Sequence, residues 1–70
     1  MDDLATEILD LVKVKMKEQG AYDRASYEEL IEETTEYFYE KGKITDDDNI
    51  EFIKDELLQM YEIVKDQLAD

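Results

Sequence analysis

Glu28, Glu29, Glu32, Glu33, Glu36 and Glu40 recur at three- and four-residue spacing, and theirs is the pattern in this chain that offers chemistry. On a helix, residues three and four apart stand roughly 5 to 6 Å from one another on one face, so this stretch would present a row of carboxylates. At 100° per residue all six lie opposite Phe38, and no basic residue falls among them. The like-charged pairs at i,i+4 (Glu28/Glu32, Glu29/Glu33, Glu32/Glu36, Glu36/Glu40) each cost an isolated helix about 0.2 to 0.5 kcal/mol. A sequence shaped by helix stability alone would set lysines among them. Two readings follow: a solvated face that keeps the chain in solution, or a surface that opposes a basic partner and steers its approach. The candidate partner-binding set is Glu28, Glu29, Glu32, Glu33, Glu36 and Glu40, with Tyr39 placed beside Glu28, Glu32 and Glu36.

Other chemistries are removed by composition. The 70 residues carry 21 carboxylates against eight basic side chains, a formal charge of −13, with no histidine and no cysteine. Nucleophilic catalysis needs a base beside the nucleophile, and Ser26 has only carboxylates nearby in sequence. Zinc and copper sites would lack nitrogen and sulfur ligands. A twelve-residue calcium loop counted from Asp46 lacks the central glycine and ends on Leu57 in place of glutamate. No catalytic residue, metal site or cofactor is expected, and the chain is not expected to be an enzyme. So acidic a surface should repel nucleic acid and anionic membranes.

The elements that must position the glutamates form an all-α, antiparallel three-helix bundle in a single domain spanning residues 1–70. The first helix, residues 3–18, carries Leu4, Ala5, Ile8, Leu9, Leu11, Val12 and Met16 on one arc and ends at Gly20, a left-handed cap. The second, residues 26–41, begins with Ser26-Tyr27-Glu28-Glu29 read as a capping box; Tyr27, Leu30, Ile31, Thr34, Phe38 and Lys41 give its inner side, and Gly42 closes it. The third, residues 46–68, begins behind Asp46, Asp47 and Asp48, whose charge suits a helix N-terminus. Its inner face is Ile50, Ile53, Leu57, Met60, Tyr61, Val64 and Leu68, with no break expected. Lys13, Lys15 and Lys17 at the end of the first helix could partly neutralise a neighbouring acidic helix. A chain this short buries only about 60% of its unfolded surface, and self-repulsion lowers its stability further.

Two apolar residues fall off the inner faces. Phe52 and Ile63 point well away from the core side of the third helix, with Glu56 and Gln59 between them and Met60 at the edge. Phe52, Glu56, Gln59, Met60 and Ile63 are therefore the candidate self-association set, and homodimerisation through this stripe is the alternative to a basic protein partner. The competing structural reading folds Phe52 under the Ile44 loop. A nucleic-acid mimic acting as an inhibitor and a carrier or accessory subunit are the remaining alternatives.

The carrier alternative comes from a partial resemblance. Acyl carrier proteins are small, acidic and helical, with a modified serine at the start of an acidic second helix, and Ser26 stands in a comparable place. Arg24-Ala25-Ser26-Tyr27 departs from that family's pattern, which has aspartate before the serine and an aliphatic residue after it; the first loop is also too short, so no family membership is assigned. Apolar runs are short and Met1-Asp2-Asp3 lacks a basic start, so neither a membrane span nor a signal peptide is expected. The expected location is cytoplasmic.

Overall fold

The computed structural model describes residues 3–45 and 47–68. Among these the chain is all-helical, with α1 (Asp3–Gln19), α2 (Arg24–Glu40), α3 (Ile50–Gln59) and α4 (Tyr61–Leu68). The all-α expectation holds. The expected three helices become four, because the third is interrupted at Met60.

α1 buries Ala5, Ile8, Leu9, Val12 and Met16, the arc that its 3.6-residue period predicts. It stops at Gly20, whose φ of 64° lets the Ala21 N–H turn back to the Met16 carbonyl at 3.0 Å. α2 begins two residues earlier than expected, and Asp23, not Ser26, is its N-cap. The Asp23 carboxylate accepts the Ser26 N–H at 3.1 Å and the Ser26 hydroxyl at 2.8 Å. A carboxylate that satisfies one of the otherwise unpaired first-turn amides outcompetes a hydroxyl placed three residues later. These bonds, the hydroxyl's first, hold the Asp23 carboxyl below its ordinary value of 3.8.

Gly42 closes α2 as expected, with a φ of 77°. The Lys43 N–H reaches the Phe38 carbonyl at 2.9 Å and the Gly42 N–H reaches that of Tyr39 at 3.1 Å, the paired bonds of a Schellman turn. That reversal buries Ile44 and leaves Lys41 exposed, outside the inner face expected for it.

The third helix starts at Ile50 instead of residue 46, with Asn49 as its N-cap accepting from the Phe52 N–H at 3.1 Å. Asp46 lies outside the described residues. Thr45 and Asp48 form a local turn: Asp48 accepts the Thr45 N–H at 2.9 Å, and the Asp47 N–H donates to the Thr45 hydroxyl at 3.3 Å. Short polar side chains that bond nearby backbone in this way compete with helix formation.

The interruption at Met60 coincides with a tertiary contact. The buried Tyr27 hydroxyl donates to the Leu57 carbonyl, the acceptor that an unbroken helix would reserve for the Tyr61 amide. The Met60 N–H instead closes a tighter turn onto Leu57 at 3.1 Å, and α4 restarts with the Val64 N–H bonded to the Met60 carbonyl at 2.9 Å. The Tyr61 ring packs 5.3 Å from that of Tyr27, and its hydroxyl donates to the Tyr22 carbonyl at 2.8 Å. The two tyrosines thus fasten the α3/α4 junction to the start of α2 and to the loop before it.

The core is one cluster drawn from all four helices and Ile44, with Ile8, Val12, Met16, Tyr27, Leu57 and Val64 shielded from solvent. Full burial of each aliphatic side chain contributes about 1.5 to 3 kcal/mol. Two threonines share this interior. Thr35 donates to the Ile31 carbonyl at 2.6 Å, whereas the Thr34 hydroxyl, completely buried, has no hydrogen-bond partner among the described residues.

Thr34→Val should therefore raise stability, by about 1 kcal/mol, because it keeps the shape and removes a desolvated hydroxyl; urea unfolding measures this. Tyr27→Phe should lower stability by about 1 kcal/mol, since the Leu57 carbonyl retains the Met60 N–H. Burial pushes the Tyr27 phenol from its usual 10.0 up to about 12, with Arg24 opposing the shift. The folded state keeps the proton longer than the unfolded chain. Its contribution is thus complete below pH 10.0 and is lost as pH rises towards 12, a loss that an alkaline titration of Tyr27→Phe should lack.

Candidate functional site

The structure separates the six glutamates of α2 into two strips. All six are exposed. Glu28 and Glu32 lie on one edge of the helix, and each meets a cation. Arg24 Nε approaches Glu28 Oε1 at 3.4 Å and Lys54 Nζ approaches Glu32 Oε2 at 3.0 Å. The expectation that no basic residue stands among them is corrected at these two positions. Arg24 enters because α2 begins at that residue, one turn before Glu28; Lys54 arrives from α3 through antiparallel packing, which also sets Tyr27 against Leu57. The pairs form at exposed carboxylates, where such bridges contribute about 0 to 1 kcal/mol.

Glu29, Glu33, Glu36 and Glu40 form the second strip. At 100° per residue they fall within about 60° of one another, opposite the buried side chains of Tyr27, Leu30, Ile31, Thr34 and Phe38. They make no salt bridge among the described residues. Neither of these two ion pairs involves Lys13, Lys15 or Lys17 of α1. Four carboxylates thus run along a helix of 17 residues, about 25 Å long at 1.5 Å per residue.

Tyr39 shares the helix edge of Glu28 and Glu32. With Glu32, Thr35 and Glu36 it forms one wall of a shallow groove whose other side is Ile50 and Lys54, a volume of about 220 Å³. Glu28, expected beside Tyr39, is instead about three helical turns away and paired with Arg24. The groove is smaller than the roughly 300 to 1,000 Å³ of a small-molecule site. It could hold one side chain.

The apolar stripe expected on the third helix spans α3 and α4. Phe52 and Ile63 are exposed, at 62% and 53%, and Gln59 is exposed with them, while Glu56 and Met60 are half-buried and Met60 packs against the core. Phe52 does not fold under the Ile44 loop. Ile44 itself fills that place, buried by the turn that follows α2.

Sequence reasoning missed Lys54 as a residue of the acidic site, and only the contact between α2 and α3 reveals it. Ser26 lies in the first turn of α2 with its hydroxyl bonded to Asp23. Among the described residues no group of three or more acidic side chains is placed to hold a metal ion, and no helix is long and apolar enough to cross a membrane.

Lys54→Gln should change stability by less than about 1 kcal/mol, while releasing Glu32 to the acidic surface. Affinity for a lysine-rich peptide should rise at low salt, and titration calorimetry of the variant beside the wild type checks this.

Compared with protein-family models, with curated proteins and with solved structures, the chain matches none.

Proposed function

We propose that this chain is a non-catalytic protein-binding module that docks a basic protein surface through the outer strip of α2. Its architecture is an antiparallel three-limbed helical bundle in which α3 and α4 together form the third limb. The observation that carries the reading is the strip itself: Glu29, Glu33, Glu36 and Glu40, exposed, aligned and without a salt bridge among the described residues. Arg24 and Lys54 pair with Glu28 and Glu32 and form no salt bridge with this strip. A partner's lysines and arginines would relieve the like-charge repulsion along it, so that association and stability draw on the same term. Charge also raises the rate of encounter, an effect that falls with ionic strength.

The test is the triple variant Glu29→Gln, Glu33→Gln, Glu36→Gln, titrated with a lysine-rich peptide at several salt concentrations. Affinity should fall by about tenfold, on the scale of roughly 1.4 kcal/mol, and its salt dependence should flatten. The free variant should be more stable than wild type, because the 29/33 repulsion and those of Glu36 with its neighbours are gone, each about 0.2 to 0.5 kcal/mol. Unchanged affinity would remove α2 as the docking surface.

A further inference from the structure

The α3/α4 stripe is a second surface with a chemistry of its own. Phe52 and Ile63 are the two most exposed large apolar side chains among the described residues, at 62% and 53%. They stand eleven positions apart, Phe52 in the first turn of α3 and Ile63 in the first turn of α4. The Asn49 cap begins α3 just before Phe52, and the turn at Met60 falls just before Ile63. Both residues thus sit on ordered helix.

What surrounds them indicates the occupant. By the register of each helix, exposed Glu51 and Asp55 flank Phe52 on one side and half-buried Glu56 on the other in α3, and exposed Glu62 and Asp66 lie on one side of Ile63 in α4. The segment from residue 46 to 70 holds nine carboxylates and two lysines. Both lysines are placed away from the stripe. Lys54 is turned to Glu32 on α2 at 3.0 Å, and Lys65 shares that side of the helical register.

We infer that the Phe52/Ile63 stripe receives an amphipathic helix of a partner protein, its apolar seam laid on Phe52 and Ile63 and its flanking lysines or arginines on the bordering carboxylates. A second copy of this chain fits less well. A twofold contact apposes each patch to itself, which here would bring two carboxylate borders together with no cation between them. A basic amphipathic helix satisfies the apolar centre and the acidic border at once, its apolar anchors and its charges each meeting their complement. This surface is separate from the α2 strip, and neither needs the other.

The probe is a synthetic helical peptide with a leucine seam and lysines on both flanks, beside the same peptide with glutamates in place of the lysines. The lysine peptide should bind the wild-type chain and the glutamate peptide should not. Phe52→Ser with Ile63→Ser leaves every charge in place. It should weaken the lysine peptide by about tenfold or more, the loss expected on removing apolar interface anchors. The Glu29→Gln, Glu33→Gln, Glu36→Gln variant should keep this apolar-dependent component. On unmodified protein the Phe52 ring resonances should shift during the titration, a readout independent of any variant's folding.

Equal affinity of wild type and the serine variant would overturn the proposal, leaving diffuse charge attraction. So would a Phe52 ring that does not respond. Sedimentation of the free protein as a dimer in high salt, made monomeric by the serine substitutions, would overturn it in favour of a second copy.

Discussion

The hydrogen bond from the Tyr27 hydroxyl to the Leu57 carbonyl constrains much of the rest of this fold. It fixes how far α3 slides along α2, because a buried phenol must find an acceptor and this one finds it on the facing backbone. With that height set, Lys54 falls opposite Glu32 and Ile50 lies beside Thr35 and Tyr39. The same carbonyl also accepts the Met60 N–H in the tighter turn that separates α3 from α4, and just beyond it Tyr61 donates its hydroxyl to the α1/α2 loop. Arg24 then lies 5.8 Å from the Tyr61 ring, while its guanidinium also approaches Glu28. One buried polar contact thus connects the packing of the core to the distribution of surface charge.

The proposed function rests on that distribution. A chain with a net charge of −13 has few cations with which to neutralise itself. Arg24 and Lys54 meet the α2 edge nearest α3, and Lys41 and Lys43 lie over the rings of Tyr37 and Phe38 at the far end of α2. The outer strip of α2 and the border of the Phe52/Ile63 stripe keep their carboxylates without a salt bridge among the described residues. Repulsion left standing on a small domain lowers its stability, and it is relieved when a cationic surface arrives. In the proposed reading, a binding surface and a stability deficit are two aspects of one arrangement.

Much of the fold is legible in the residues alone. The apolar period of α1 and α2, the stops at Gly20 and Gly42, and the outward placement of Phe52 and Ile63 all follow from local rules. Where reading along the chain departs from the structure, competition between neighbouring groups is the reason. Asp23 and Ser26 both suit an N-cap, and the carboxylate prevails; Thr45, Asp48 and Asn49 bond locally and delay α3 to Ile50. The Tyr27 contact beside the Met60 break and the pairing of Lys54 with Glu32 span thirty and twenty-two residues of sequence, and no single-helix pattern contains them. The candidate glutamates were visible as a row. Their division into a paired edge and an unpaired strip required the neighbouring helix.

The most direct measurement is an NMR titration of the isotopically labelled protein with oligolysine, which carries charge and no apolar seam, followed residue by residue at low and high salt. The largest amide shifts should fall on Glu29, Glu33, Glu36 and Glu40, and they should vanish as salt screens the attraction. Shifts spread evenly over the acidic surface, or greatest outside α2, would contradict a built docking face and leave the glutamates as a solvated side of the helix.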